Sequence, residues 1–316
     1  MTILDAIIQG VVQGLTEFLP VSSSGHLAIT QHITGVAGEG NLFFNVMLHV
    51  GTLVAVVAFY YKLIWSLIKE LFKMLGDIFT GKFKWSQMNY ERNLIVMLII
   101  GLLPLFILFI PIPGTDMKIK DLAEIFSGAQ ILLVTAISLL LTSGMLTIGA
   151  VFNRRNTAVS FKHMKEGKQG GRESYTVLDA ICVGLMQTAA ALLPGLSRSG
   201  STLAVGELRG INKQKALDFT FVLGVPSILA AALLEGKDAV EAGIDVEPSV
   251  IAVGVIVSAV VGYLSIVLFK WFLKSDKMIV FIIYTAVVGL ALTVISFMEI
   301  ASGTNLFTGQ PAALFA

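Results

Sequence analysis

Charge and cysteine are both scarce in this chain. Asp, Glu, Lys and Arg make up 14% of the 316 residues, against 55% hydrophobic, where a soluble domain carries about 25% charged residues. So little charge cannot cover a water-facing surface of this size, and the composition points to an integral membrane protein. The lone Cys182 excludes an intramolecular disulfide, and with it a stapled secreted fold. A formal net charge of +1 offers no global attraction to nucleic acid, which is excluded as a partner. The opening MTILDAIIQG lacks a basic flank and carries Asp5, so it reads as part of the mature chain rather than a leader.

Apolar runs are plentiful instead. A bilayer crossing takes about 20 such residues, and full spans are expected near 42–60, 94–112, 127–151, 217–234, 248–270 and 278–299. Lys and Arg collect in cytoplasmic loops. Segment 61–93 holds Lys62, Lys69, Lys73, Lys82, Lys84 and Arg92, and segment 152–174 holds Arg154, Arg155, Lys162, Lys165, Lys168 and Arg172. Both are therefore expected inside, as is the turn with Lys270, Lys274 and Lys277. The acidic segment 235–247 (Glu235, Asp238, Glu241, Asp245, Glu247) and the short 113–126 are expected outside.

Two further apolar stretches, 1–40 and 175–206, are interrupted by Pro, Ser and Gly. As simple crossings they would put basic segments on the wrong side, so each is expected to dip in and return, the first from outside and the second from inside. Such backbone is tolerated at depth only where it is buried in protein or lines a wet cavity. VVQGLTEFLP (11–20) aligns with GLMQTAAALLP (184–194), pairing Gln13 with Gln187 and Pro20 with Pro194, and SSSG (22–25) follows SRSG (197–200) after a slip of one. Gly51 falls near Gly224. The expected fold is thus all-α, with two inverted-topology repeats, each a re-entrant helix hairpin plus three transmembrane helices. Residues 1–174 form the first repeat, 175–300 the second, and 301–316 a flexible external tail. Inverted repeats with broken helices place a site near the midplane.

The polar residues gather at the breaks. Gln13 and Glu17, four apart on a helix, face one way just before Pro20 stops it. The helix restarts near Ser22 or Ser23, both good N-caps. The amides and dipole of a helix start favour an anion. In the second repeat Pro194 and Gly195 break the chain, Ser197 can cap, and Ser199, Ser201 and Thr202 surround Arg198 with hydroxyls. A guanidinium holds phosphate oxygens in a planar fork and stays charged. Ionisable residues at this depth are functional by default, so the two restarts read as one phosphate cradle for an anion carried by a lipid. Pairing of Arg198 with Glu17 as a purely structural ion pair is the plain alternative. His26, one turn beyond Ser23, joins the site; His49 is left open between site and interior; His32 and His163 read as peripheral.

QGLTEFLPVSSSGHL and PGLSRSGST resemble the two signature motifs of the undecaprenyl pyrophosphate phosphatase family, associated with bacitracin resistance, and LHVGTLVAV and the repeat layout extend the likeness over nearly the whole chain. The resemblance implies a multi-pass enzyme of the bacterial cytoplasmic membrane, its site open to the outer face. It would hydrolyse undecaprenyl diphosphate to undecaprenyl phosphate, the lipid carrier of cell-wall precursors. It also implies dependence on a divalent cation, Mg2+ or Ca2+, which Glu17 would ligate unless it acts as base instead. Carried onto this chain, the catalytic residues are Glu17, Ser23, His26 and Arg198. Substrate binding falls to Gln13, Ser22, Ser24, Gly25, Ser197, Ser199, Gly200 and Thr202. Members often have Tyr-Arg in the last span, where this chain has Tyr284-Thr285.

The expected chemistry is in-line attack at the distal phosphorus, with Ser23 as nucleophile and His26 relaying its proton; attack by an activated water stays open. The type-2 phosphatidic acid phosphatases share SGH and SR elements, but no Arg precedes a Pro here and no His follows Arg198, so that class is excluded. A transporter that flips the lipid monophosphate would need the same cradle and stands as the alternative. A lipid-binding scaffold ranks last, having little use for Glu17 and His26 beside a phosphate. Besides the polyprenyl diphosphate and the bilayer, a homodimer is left open as a partner.

Overall fold

The computed structural model describes residues 2–35, 39–127, 131–161, 171–241, 246–309 and 311. Lys162, His163, Lys165, Lys168 and Asp245 therefore lie outside the described residues. The chain is helical: α1 (Ile3–Phe18), α2 (Ser23–Thr34), α3 (Glu39–Phe59), α4 (Tyr61–Phe79), α5 (Tyr90–Leu102), α6 (Asp121–Ser127), α7 (Ile131–Phe161), α8 (Val177–Leu192), α9 (Arg198–Leu208), α10 (Lys213–Glu241), α11 (Pro248–Lys274) and α12 (Ile279–Ser302). Pro104 turns the end of α5 into a 3-10 segment, Leu103–Phe109. Among the described residues the only strand-like features are isolated bridges.

Among the described residues, five helical segments are long and apolar enough to cross a membrane: Tyr90–Phe109, Leu132–Arg154, Lys213–Leu234, Pro248–Lys274 and Ile279–Ser302. The segment expected as the first full span differs. Phe43–Phe59 reaches that standard only together with Tyr61–Phe79, from which it is bent by 84°. α7 and α10 run to Phe161 and Glu241, beyond the expected ends at 151 and 234, since helical hydrogen bonding continues past the apolar stretch.

α1–α2 and α8–α9 occupy the two interrupted stretches. Both first helices open on a capping box: Asp5 N donates to Thr2 Oγ1 and Thr2 N to Asp5 Oδ2, and Thr176 and Asp179 repeat the pattern. Two orphan amides of the first turn are satisfied in this way. The sequence offset that pairs Gln13 with Gln187 also pairs these two boxes and pairs Gly10 with Gly184. At Gly10 α1 presses on α11, where a Cβ would lie 3.0 Å from Gly254 O; at Gly184 α8 presses on α5, where a Cβ would lie 2.4 Å from Gly101 O. Bare helix faces allow the close backbone approach common in membrane bundles. The second hairpin is anchored at the end remote from its break by Asp179, which accepts from Arg172 Nη1 at 2.8 Å and Arg209 Nε at 2.7 Å.

The largest apolar core joins the two halves, with Phe18, Tyr60, Phe219, Phe221, Phe269 and Phe281 in one cluster. Beyond α12, in the segment expected as a flexible tail, Leu306 N donates to Glu299 Oε1 at 2.9 Å and Asn305 Nδ2 to His32 O at 3.3 Å. His32 Nε2 also meets Glu299 Oε1 at 2.9 Å, so this histidine belongs to the packing of the tail.

Candidate active site

Pro20 ends α1, and Leu19 turns into extended backbone. Ser22 then sits at φ 72°, ψ 103°, a region few residues other than glycine adopt, and its Oγ accepts from Gly25 N at 3.2 Å to cap α2. Such a conformation costs about 1–3 kcal/mol and persists only where neighbours fix it. Here His26 does so twice, through its backbone N at 3.2 Å and its Nδ1 at 2.7 Å, both donating to Ser22 O. At the second break the positive φ moves to Gly195, at 94°, where it is unstrained. Ser197 caps α9 by accepting from Gly200 N at 3.1 Å, and its own amide donates to Thr142 Oγ1 of α7 at 3.0 Å.

The two restarts interlock. Ser199 Oγ donates to Leu19 O at 3.2 Å, and Gly195 N donates to Ser24 Oγ at 3.5 Å. A Cβ on Gly25 would lie 3.1 Å from Gly195 Cα, and one on Gly200 would lie 3.0 Å from Pro20 Cβ. Each glycine thus lets one break lean on the other, and the first turns of α2 and α9 meet. First-turn amides have no intrahelical acceptor, so this meeting point concentrates donors and positive dipole ends.

Glu17 is the hub. Its Oε2 accepts from Gln13 Nε2 at 2.9 Å and from Ser23 Oγ at 2.7 Å, and its Oε1 accepts from Arg198 Nη2. His49 of α3 donates Nδ1 to Asn45 O at 2.7 Å and turns Nε2 toward Glu17 Oε2 at 3.6 Å, beyond a direct hydrogen bond. Arg198 Nη1 reaches Gly224 O of α10 at 3.5 Å. The guanidinium fills the space a side chain at residue 224 would need, since a Cβ there would lie 2.7 Å from Nη1.

These residues fall into two groups. Gln13, Glu17, Ser22, Ser197 and Ser199 are buried, whereas Ser23, Ser24, His26, His49 and Arg198 retain exposure. Thr202, expected to offer a hydroxyl near Arg198, is buried and donates to Arg198 O at 2.7 Å and to Thr220 Oγ1 at 3.2 Å. Its contacts hold α9 against α10. His26 is not bonded to Ser23. Because Nδ1 donates to Ser22 O, the neutral ring presents Nε2 as an acceptor to the hydroxyl of Tyr284, 2.7 Å away and stacked at 5.6 Å. Sequence reasoning named Tyr284 only as the tyrosine of the family's Tyr-Arg position and missed it as this partner. Thr285, where the family often has arginine, is buried and donates to Phe281 O at 2.8 Å, so it adds no charge.

Among the described residues no group of three His, Cys, Asp or Glu side chains could enclose a metal ion. A hard cation can still bind through one or two protein oxygens, with ligand phosphates and waters completing its shell. Glu17, ion-paired with Arg198, has no proton to donate, so Gln13 must turn its amide nitrogen to it. That leaves Gln13 Oε1 buried without a partner beside the carboxylate. The Glu17 carboxylate, with an unpaired oxygen on the Gln13 amide bonded to it, is the donor set that would hold a cation shared with a phosphorylated ligand.

Curated relatives align along nearly their whole length. The undecaprenyl-diphosphatase of Alkaliphilus metalliredigens is 38% identical over 290 residues, covering 92% of this chain and 97% of that protein. The undecaprenyl-diphosphatase of Bacteroides fragilis is 37% identical over 302 residues, covering 93% and 98%. That of Methanosphaera stadtmanae is 34% identical over 300 residues, covering 94% and 99%. The family model described as bacitracin resistance protein BacA matches residues 6–291, and this chain belongs to that family.

Proposed function

We propose that this chain is a multi-pass membrane phosphatase that removes the terminal phosphate of undecaprenyl diphosphate, leaving undecaprenyl phosphate. The observation that carries this reading is the Ser23–Glu17–Arg198 chain of contacts across the two interlocked helix restarts. Without ligand, Arg198 and Glu17 neutralise one another. An arriving diphosphate competes for the guanidinium, to which two of its oxygens can bond as a fork. As Arg198 turns to the phosphate, Glu17 is left to take the proton of Ser23, already 2.7 Å away. Ser23 Oγ then attacks the distal phosphorus in line. The bond from that phosphorus to the bridging oxygen breaks, and undecaprenyl phosphate leaves as an anion. Water hydrolyses the phosphoserine, with Glu17 returning the proton to Ser23. Direct attack by a water held on Glu17 is the competing route, and it uses the same base.

Phosphoryl transfer asks mainly for positioning and charge neutralisation, and the amides of the α2 and α9 starts with Arg198 supply both. A Mg2+ or Ca2+ ion held by Glu17, Gln13 Oε1 and the diphosphate would add charge neutralisation to the same phosphates. His26 lies in the open part of the cradle but is bonded to Ser22 O and Tyr284, so its role is to fix the α2 start and contact the ligand. Ser24, Ser197, Ser199, Gly25 and Gly200 shape and cap the two starts.

In this reading α3, α5, α7, α10, α11 and α12 are the six spans. The matched capping boxes, glycines and breaks support reading the two halves as repeats; in this reading their topology is inverted, the basic segments lie in the cytoplasm and the cradle opens outward across the plasma membrane. Every group named comes from one chain, so the cradle does not require self-association. A carrier for the lipid monophosphate would need the cradle but not a serine hydrogen-bonded to a carboxylate.

Ser23→Ala separates the routes. The account expects turnover to fall by at least about 100-fold, with affinity for a non-hydrolysable diphosphate analogue nearly unchanged. Turnover within about twofold of the parent would assign the attack to water.

A further inference from the structure

We infer that α4 is an interfacial helix that binds anionic phospholipid, through an apolar stripe set among the acyl chains and a flanking row of lysines at the headgroups. The proposal begins with the 84° bend at Tyr60. With α3 as a span, tilted from the bilayer normal by about 20° as spans are on average, the 84° bend brings α4 close to the membrane plane.

Its residues divide into three arcs of the helix surface. One arc faces the protein: Leu67 and Met74 are buried, and Ile64 and Leu71 pack on the main core. Glu70 and Asp77 border it, and Arg92 of α5 holds both, at 2.7 Å and 2.6 Å. The second arc is Tyr61, Trp65, Ile68, Phe72, Leu75 and Phe79, spaced three and four apart, and every one is exposed, Phe72 by 69% and Phe79 by 86%. The third arc, flanking the apolar stripe, is Lys62, Lys69 and Lys73. Lys82 and Lys84 follow just beyond the end of the helix, after Gly81.

Fixed protein contact on one side, a bare apolar stripe on the second and cations on the third is the pattern of a helix lying in an interface. The charge is available to a ligand. Both acids of α4 are held by Arg92, and Lys62, Lys69, Lys82 and Lys84 have no ion-pair partner among the described residues. Lys69 Nζ lies 5.3 Å from the Trp65 ring and Lys62 Nζ 5.8 Å from the Tyr61 ring, so stem and ring meet along the edge between stripe and lysines. A zwitterionic headgroup offers a phosphate already balanced by its own cation, whereas an anionic one brings net negative charge, each basic residue near such a surface adding a favourable increment.

The test uses full-length protein in phosphatidylcholine nanodiscs, with Trp85→Phe and Trp271→Phe leaving Trp65 as the only tryptophan. Brominated phosphatidylglycerol or brominated phosphatidylcholine is added at equal mole fraction, and Trp65 quenching is read. The proposal expects quenching by both, stronger by at least about twofold for the phosphatidylglycerol, with the preference shrinking as salt is raised. It also expects the preference to vanish in Lys62→Gln/Lys69→Gln/Lys82→Gln/Lys84→Gln with phosphatase turnover retained. Equal quenching by the two lipids overturns the anionic specificity. No quenching by either overturns the interfacial placement, as it would if a second copy of the chain covered the stripe.

Discussion

Gly224 shows how far the placement of Arg198 depends on its neighbours. A Cβ there would lie 2.7 Å from Nη1 and 3.3 Å from Cζ, so the atoms that must yield are the tip of a flexible side chain and not backbone. Gly224→Ala is therefore expected to displace the guanidinium without unfolding the bundle. Turnover should fall by about tenfold to 100-fold, as misplacement of a charged group by about 1 Å can cost that much, while the thermal midpoint in detergent barely moves. A large drop in midpoint with kcat/KM preserved in the folded fraction would contradict the packing described. The same scale shows what was legible in the sequence. Glu17, Ser23 and Arg198 could be singled out because polar groups in an apolar stretch need a reason to be there. The Arg198–Glu17 pair was legible only as an alternative to the cradle, and the Ser23–Glu17 bond was not, because both depend on how the breaks at Pro20 and Pro194 lean together through Gly25 and Gly200. Tyr284 lay further out of reach: it comes from the last helix, and nothing local marks it as the partner of His26.

At the scale of elements, the interrupted stretches 1–40 and 175–206 were readable because proline and glycine end helices by known rules. The 84° turn between α3 and α4 was not, since no proline or glycine marks it and the apolar pattern continues across it. Two elements give clean expectations. α8 meets α5 at Gly184, where a Cβ would lie 2.4 Å from Gly101 O. Because that contact is backbone, Gly184→Ala should destabilise by about 1–3 kcal/mol, measured by reversible unfolding in detergent, and an unchanged stability would rule out this close crossing. α4 is tied to α5 by Arg92, whose hydrogen bond holds the Glu70 carboxyl below its ordinary value. A depressed carboxylate pKa stabilises the fold above the unfolded value of about 4.3, and the contribution is lost as pH falls through the lower folded value. Glu70→Gln should thus melt below the parent at pH 7, the difference closing as the pH drops below about 4. A gap that persists at low pH would mean that the ion pair is not its source.

At the scale of the whole molecule, the chain brings two discontinuous hairpins from opposite halves to one point, and neither is complete alone. The first carries the carboxylate and the hydroxyl, with Ala191 standing where the second would need its own Glu17. The second carries the only guanidinium in the Glu17 network. The chain belongs to the bacitracin resistance protein BacA family, and the relatives it matches are undecaprenyl-diphosphatases. The central claim is that Glu17 and Arg198 act on one diphosphate with a divalent cation. The most direct measurement is phosphate release from undecaprenyl diphosphate by detergent-purified protein, with and without chelator, beside Glu17→Ala and Arg198→Ala. The account predicts release that chelation abolishes and added Mg2+ or Ca2+ restores, with both variants folded and slower by at least about 100-fold. Full release by either folded variant, or none by the folded parent with cation present, would contradict it.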